Sequence, residues 1–307
     1  MTSASSSGSS VVWPPLPYHD WQPTKETLHR YAQIVGKVRM SLVPFRNHWW
    51  HVTLYVSTRG VTTGPMPYGD LSVEIEFDFV DHRLRVLTSD GREAGFPLRD
   101  RTPCAQFYAD LFRSLEEVGV HVTINPKPFD LPDSPPFPDD LQHDSYDAAA
   151  VARWWQILRV TDHTLALFAS GFTGKQSPTH LFWHSFDLAH SRYSGRLAPP
   201  IEGADPVNAE AYSREVIAFG WWPGDDRTTS YPAYYSYTWP EPDGLTEQSL
   251  APNDAAWQDM GRSSLAVLPY DVVREAADPA STLLGFYESA YEAGATAASW
   301  DLALLGG

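Results

Sequence analysis

The 307-residue chain is 43% hydrophobic and 20% charged, enough apolar material for one large domain or two ordinary ones. Its 22 Lys and Arg stand against 38 Asp and Glu, a net charge of −16. That acidity argues against nucleic acid as a partner, because phosphate backbones repel it, and no run approaches the ~18 apolar residues of a membrane span, so no membrane partner is expected.

The N-terminus reads MTSASSSGSS, with no basic start and no apolar run, so no signal peptide is expected. Residues 1–22 are expected to form a flexible tail and leading segment. A single cysteine, Cys104, excludes an internal disulfide and points to a reducing, cytoplasmic compartment. Cys104 itself reads as a small buried side chain.

Helical spacing of Leu28, Tyr31, Ile34, Val35, Val38 and Leu42 predicts a helix over 24–42. Strands are expected over 48–58, 71–80, 83–88 and 94–98, separated by turn-forming pairs such as Gly64-Pro65 and Asp90-Gly91. Pro103 opens a second helix to about 118, and a strand follows over 120–124. Residues 126–146 are Pro-rich and acidic and read as an extended connector between a first half, 23–125, and a second half, 147–307. The second half opens with a helix over 147–168. Strands follow over 180–193, 212–222, 233–238 and 264–270, and a helix over 279–298 closes it.

The order of elements recurs, and so do details within it. Trp50-His51 in the first half answers Trp183-His184 in the second, with an Arg eight residues beyond each His, Arg59 and Arg192. Phe107-Tyr108 and Phe286-Tyr287 sit on the closing helices. The sequence therefore reads as a tandem duplication with an α+β fold: two related α-β-meander-α halves with mainly antiparallel sheet. The cleft between such halves is a natural place for a ligand.

Longer strings carry a family likeness: Asn47-His48-Trp49-Trp50-His51-Val52-Thr53-Leu54-Tyr55-Val56, Glu210-Ala211-Tyr212-Ser213-Arg214-Glu215-Val216-Ile217, Arg192-Tyr193-Ser194-Gly195-Arg196 and Trp222-Pro223-Gly224. In these, from about Trp13 to Trp300, the chain resembles the domain-of-unknown-function family numbered 5996. The resemblance implies a bacterial cytoplasmic protein and brings no assigned activity or functional residue with it.

The leading functional reading is a binding protein or enzyme with an aromatic pocket between the halves, taking a small anionic or aromatic molecule. Trp50, His51, Trp183 and His184 would wall the pocket, and Arg59 and Arg192 would anchor an anion, since the guanidinium fork matches carboxylate and phosphate. A second reading is a metal-dependent enzyme with a two-His-one-carboxylate site from His51, His184 and Glu215. A third is a protein-interaction module using exposed Trp221, Trp222 and Trp239 with the Pro-rich connector. Asp187, flanked by Phe186 and Leu188, is expected to be buried and to need a partner. Gly36-Lys37 lacks the spacing of a phosphate-binding loop, and Gly36 reads as a packing residue inside a helix. The sequence names no cofactor, no reaction and no oligomeric state.

Overall fold

The computed structural model describes residues 12–131, 134–261 and 263–302. The Ser/Gly-rich first ten residues lie outside them. Helix α1 (Tyr18–Leu42) starts six residues ahead of the periodic signal and carries Pro23 inside it. Packing explains the early start. Trp21 lies against Trp154 with ring centroids 6.3 Å apart, and Leu16, Tyr18 and Trp21 are buried. Residues 16–22 thus belong to the core and not to a flexible segment.

The first sheet holds β1 (Tyr55–Val56), β2 (Gly60–Thr62), β3 (Met66–Tyr68), β4 (Leu71–Asp78), β5 (Arg83–Thr88) and β6 (Glu93–Pro97). They pair antiparallel in the order β1-β2-β4-β5-β6, with β3 also on β4. Helix α2 (Cys104–Glu117) covers one face, and its Phe107 stacks on Tyr31 of α1 at 3.9 Å and on Phe77 of β4 at 6.0 Å. Cys104 is buried there, and desolvation drives its thiol pKa up.

The second half repeats the plan. Helix α3 (Ala148–Ser170) precedes β7 (His180–Phe182), β8 (Asp187–Leu197), helix α4 (Pro206–Ala211), β9 (Arg214–Trp222), β10 (Ala233–Trp239), β11 (Ala256–Asp259) and β12 (Ser264–Pro269). Helices α5 (Tyr270–Glu275) and α6 (Pro279–Ala297) close it. The strand order is β11-β12-β10-β9-β8-β7, antiparallel throughout. Phe168 of α3 meets Phe219 of β9 at 4.7 Å and Tyr287 of α6 at 5.6 Å, so both helices cover the same face. The fold is α+β with mainly antiparallel sheet. The first strands of the two sheets meet edge to edge, because Leu54 and Leu181 exchange two 2.9 Å backbone bonds.

Three expected strands are corrected, the first being 120–124, which forms no strand. Residues 47–49 form a 3-10 turn in which His48 and Trp49 adopt φ of 57° and 59°, and strand structure begins only at Leu54. The expected strand over 180–193 is a hairpin: β7, a turn at 183–186, then β8 running back with His180 opposite Ala189. Phe186 takes φ 61° at that turn and its ring stacks on Trp154 and His29, each 4.9 Å away. Trp50-His51 therefore precedes the first strand of its sheet, whereas Trp183-His184 follows the first strand of the other. The two pairs are not equivalent in register. Each half runs helix, antiparallel sheet, helix, but α4 interrupts the second sheet and the two tryptophan pairs do not correspond.

The connector is extended but docked. Its Phe137 and Asp140 are buried, and Asp140 receives Arg30 of α1 at 3.3 Å and His143 Nδ1 at 2.8 Å. Phe129 and Gln33 of α1 exchange two hydrogen bonds, 2.7 and 2.9 Å. Among the described residues no helix is long and apolar enough to cross a membrane.

Candidate ligand cavity

The second sheet has one face under helices and one face open, and strand alternation sorts the side chains between them. On β8, Leu188, His190 and Arg192 turn to the helices while Ala189, Ser191 and Tyr193 turn to the open face. The open face is small at its centre, with Ala189, Ser191, Ala218, Gly220 and Ala233, and ringed by Tyr193, Tyr235 and Tyr237. Gly220 is required: a Cβ there would lie 2.5 Å from the Tyr235 ring and 2.3 Å from the Leu188 carbonyl oxygen. The small centre leaves a cavity of about 880 Å³.

Its roof is the 47–52 turn together with α4. Lys175 Nζ donates to His48 Nε2 at 2.9 Å, which leaves Nδ1 as the protonated nitrogen facing the Ala211 carbonyl at 3.2 Å. The His48 backbone N–H donates to Glu210 at 3.2 Å. The same ammonium lies 5.4 Å from the Trp50 ring and 4.9 Å from the Tyr193 ring, a cation–π seat. Burial, then Lys175, lowers the His48 pKa, so its ring stays neutral and accepts this bond. These contacts fix Trp49 and Trp50 over the cavity.

One wall is Trp183. It lies flat on Gly36 of α1, donates Nε1–H to the Val52 carbonyl at 2.8 Å, and is flanked edge-on by Phe129 at 6.4 Å. Gly36 is thus the packing residue its helical setting suggests. Among the polar residues of the lining, four bear on its chemistry. Asp187 accepts from Ser185 Oγ and from Tyr235 Oη, and burial, then Asp187, holds the Tyr235 hydroxyl far above its usual pKa. His184 stands where Asp187 and Asp130 both act on it, and burial still depresses its pKa. His180 is buried with Nδ1 unbonded and is held neutral, its pKa brought down to about 3 by desolvation. Lys37 enters from α1 with its pKa depressed by burial.

Of the residues selected from sequence, Trp50, Trp183 and His184 line this cavity together, and His51, Arg59 and Arg192 do not. His51 stacks on Trp49 at 5.2 Å and accepts from the Arg46 backbone N–H at 3.3 Å. Arg59 is taken by Asp78 and Asp81, each at 2.6 Å, on the first sheet. Arg192 falls on the helix face because the 183–186 turn restarts the strand at Asp187. Its guanidinium lies 3.5 Å from the Phe168 centroid, 4.5 Å from Tyr291 and 4.8 Å from Phe172, and it bonds the Phe168 carbonyl. Desolvation there lowers its pKa to about 10. An anion clamp from Arg59 and Arg192 is not what this geometry builds.

The metal alternative is not assembled either. Glu215 binds Ser194 and Arg196, both at 2.8 Å, and among the described residues no group of three His, Cys, Asp or Glu is arranged to hold an ion. Trp221 is fully buried, Trp222 lines the cavity, and Trp239 donates to the Tyr212 carbonyl at 3.2 Å, so none of the three stands exposed.

Sequence reasoning passed over Lys37, Tyr235 and Tyr237. A lysine amid Ile34, Val35 and Val38 on a helix buried from Thr24 to Arg39 was the available signal for the first. The alternation Tyr235-Ser236-Tyr237, two rings stacked at 6.3 Å, was the signal for the others.

Comparison with known proteins adds the family. The model described as "Family of unknown function (DUF5996)" matches residues 13–306, and the chain belongs to that family. No curated protein and no solved structure matches it significantly.

Proposed function

We propose that this family member binds a small, largely aromatic molecule in the cavity on the open face of its second sheet. The observation that carries this reading is the cavity itself. About 880 Å³ lies within the roughly 300–1,000 Å³ of small-molecule sites, and its exposed lining is mostly apolar and rich in aromatics, a usual composition of such sites. Alanine at Ala189, Ala218 and Ala233 forgoes packing that larger residues would supply, which makes sense where another molecule fills the space.

The test uses the neutral fluorophore N-phenyl-1-naphthylamine, whose emission rises in apolar surroundings. Saturable enhancement at one site per chain is expected, together with quenching of tryptophan emission. Ala218→Phe fills the floor and is expected to weaken binding at least about tenfold, the order of one lost ring-sized contact surface. Enhancement that is absent, or unchanged by Ala218→Phe in a protein that still melts cooperatively, would overturn the reading.

Arg192→Ala serves as the opposite control. It removes the guanidinium from three rings and one carbonyl, so stability is expected to fall by about 2 kcal/mol or more in urea denaturation. Fluorophore affinity should stay within about twofold, because Arg192 faces the helices.

A further inference from the structure

Every strongly buried cation but one in the described residues has an answer to its charge. Arg30 meets Asp140 at 3.3 Å. Arg39 bonds the Thr63 carbonyl and lies 5.3 Å from the Tyr55 ring. Arg192 has its three rings and the Phe168 carbonyl, and Lys25 feels Glu26, Asp225 and Asp226. Lys37 is the exception. It is 5% exposed, and among the described residues it has neither an ion pair nor a hydrogen bond. Its only electrostatic support is two rings at long range, Trp183 at 5.9 Å and Phe137 at 6.0 Å. Desolvation alone moves its pKa, with no nearby carboxylate opposing it.

A lysine whose side chain is buried and whose charge is unpaired is partly desolvated, which costs free energy. Among the described residues no carboxylate is set against Lys37. The cavity's own acids are placed elsewhere: Asp187 is occupied by Ser185 and Tyr235, and Asp130 and Asp187 act on His184. Lys37 lines the same cavity as Trp183, Phe129 and Tyr235, so a bound molecule can bring the missing counter-charge.

We propose that Lys37 is an anion anchor and that the cavity selects aromatic acids, molecules with a planar apolar body and a carboxylate or equivalent singly charged group. The body packs between the Trp183 wall and the tyrosine-rimmed sheet, and the anionic group meets Nζ. This assignment rests on the cavity being a binding site, as proposed above. The notion that an arginine pair supplies the anchor is replaced by a single lysine on α1.

The experiment displaces N-phenyl-1-naphthylamine from the full-length protein with 2-naphthoate and with 2-naphthamide, which share a ring system and differ in charge. The naphthoate is expected to bind about tenfold or more tightly, the size of one charge-assisted hydrogen bond. In Lys37→Met the acid-over-amide preference, read on the variant itself, should fall to within about twofold. Lys37→Gln, which keeps a polar tip, should behave alike. The melting temperature of unliganded Lys37→Met is expected to equal or exceed that of the wild type, since no partner is orphaned. A lysine with a purely structural partner would instead lower it. Equal binding of acid and amide by the wild type, or a preference that survives in both variants, would overturn the assignment and leave the cavity reading standing. Failure of the neutral fluorophore to bind would remove both.

Discussion

Acidification from pH 7 to about 4.5 is expected to unfold the protein, and three histidines set the course. His29, His180 and His190 are buried, and desolvation, the largest cause in each, lowers them from 6.5 to about 3, about 3 and about 4. Neighbouring charge acts in the same direction: Lys25 on His29, His190 on His180, Arg192 on His190. The folded values lie below the unfolded value, so the unfolded chain binds these protons first. Stability is whole above about pH 6.5 and is lost as pH falls toward the folded values. At pH 4.5 each group has withdrawn roughly 2–3 kcal/mol, and the three together several kcal/mol. That matches the ~5–15 kcal/mol by which domains are stable at all. Far-ultraviolet circular dichroism against pH reads the transition. His180→Phe keeps a ring among Trp50, Tyr55 and Phe182 and removes a nitrogen with no partner, so its midpoint should fall by roughly half to one pH unit. A midpoint indifferent to that substitution would show that carboxylates, and not these imidazoles, govern acid unfolding.

The elements readable from sequence were those with strong local signals. Helices α3 and α6 follow Asp147 and Asp278, whose side chains accept from Ala149 and Ala150 N–H and from Ser281 N–H, and their apolar spacing is regular. Strand β5 alternates half-buried and buried residues, as a sheet with one covered face requires. The two turns that shape the cavity gave no such signal. His48, Trp49 and Phe186 take left-handed φ without being Gly or Asn, and they hold it through tertiary contacts such as Phe186 against Trp154. Reading through them as strand put Trp50 and Trp183 in false correspondence and misjudged which face Arg192 would take. The aromatic character of the site survived the error because Trp50, Trp183 and His184 are brought to it by those same turns. Its charged group did not, because the position of Lys37 on the cavity side of α1 depends on Trp183 folding back across Gly36.

That contact makes Gly36→Ala a strongly damaging single-methyl change at the cavity wall. In a helix interior the substitution alone favours folding by about 1 kcal/mol. Here the added Cβ would lie 2.1 Å from Trp183 Cδ1 and 2.4 Å from its Cγ and Nε1. The indole cannot slide aside. Its N–H is held by the Val52 carbonyl at 2.8 Å, Phe129 stands edge-on beside it, and its own backbone carbonyl is held by His29 at 2.9 Å. The ring must therefore leave, at a cost near that of deleting a buried Trp, about 3–5 kcal/mol. Net destabilisation of about 2–4 kcal/mol is expected in chemical denaturation. Binding of N-phenyl-1-naphthylamine should weaken at least about tenfold as the wall is lost. A double-mutant cycle isolates the cause. Once Trp183→Ala has cleared the space, adding Gly36→Ala should be neutral or stabilising, so the two costs will be strongly non-additive. If Gly36→Ala by itself stabilises the protein by the helix-propensity increment, Trp183 does not lie on α1, and the wall that brings Lys37 to the cavity is not formed.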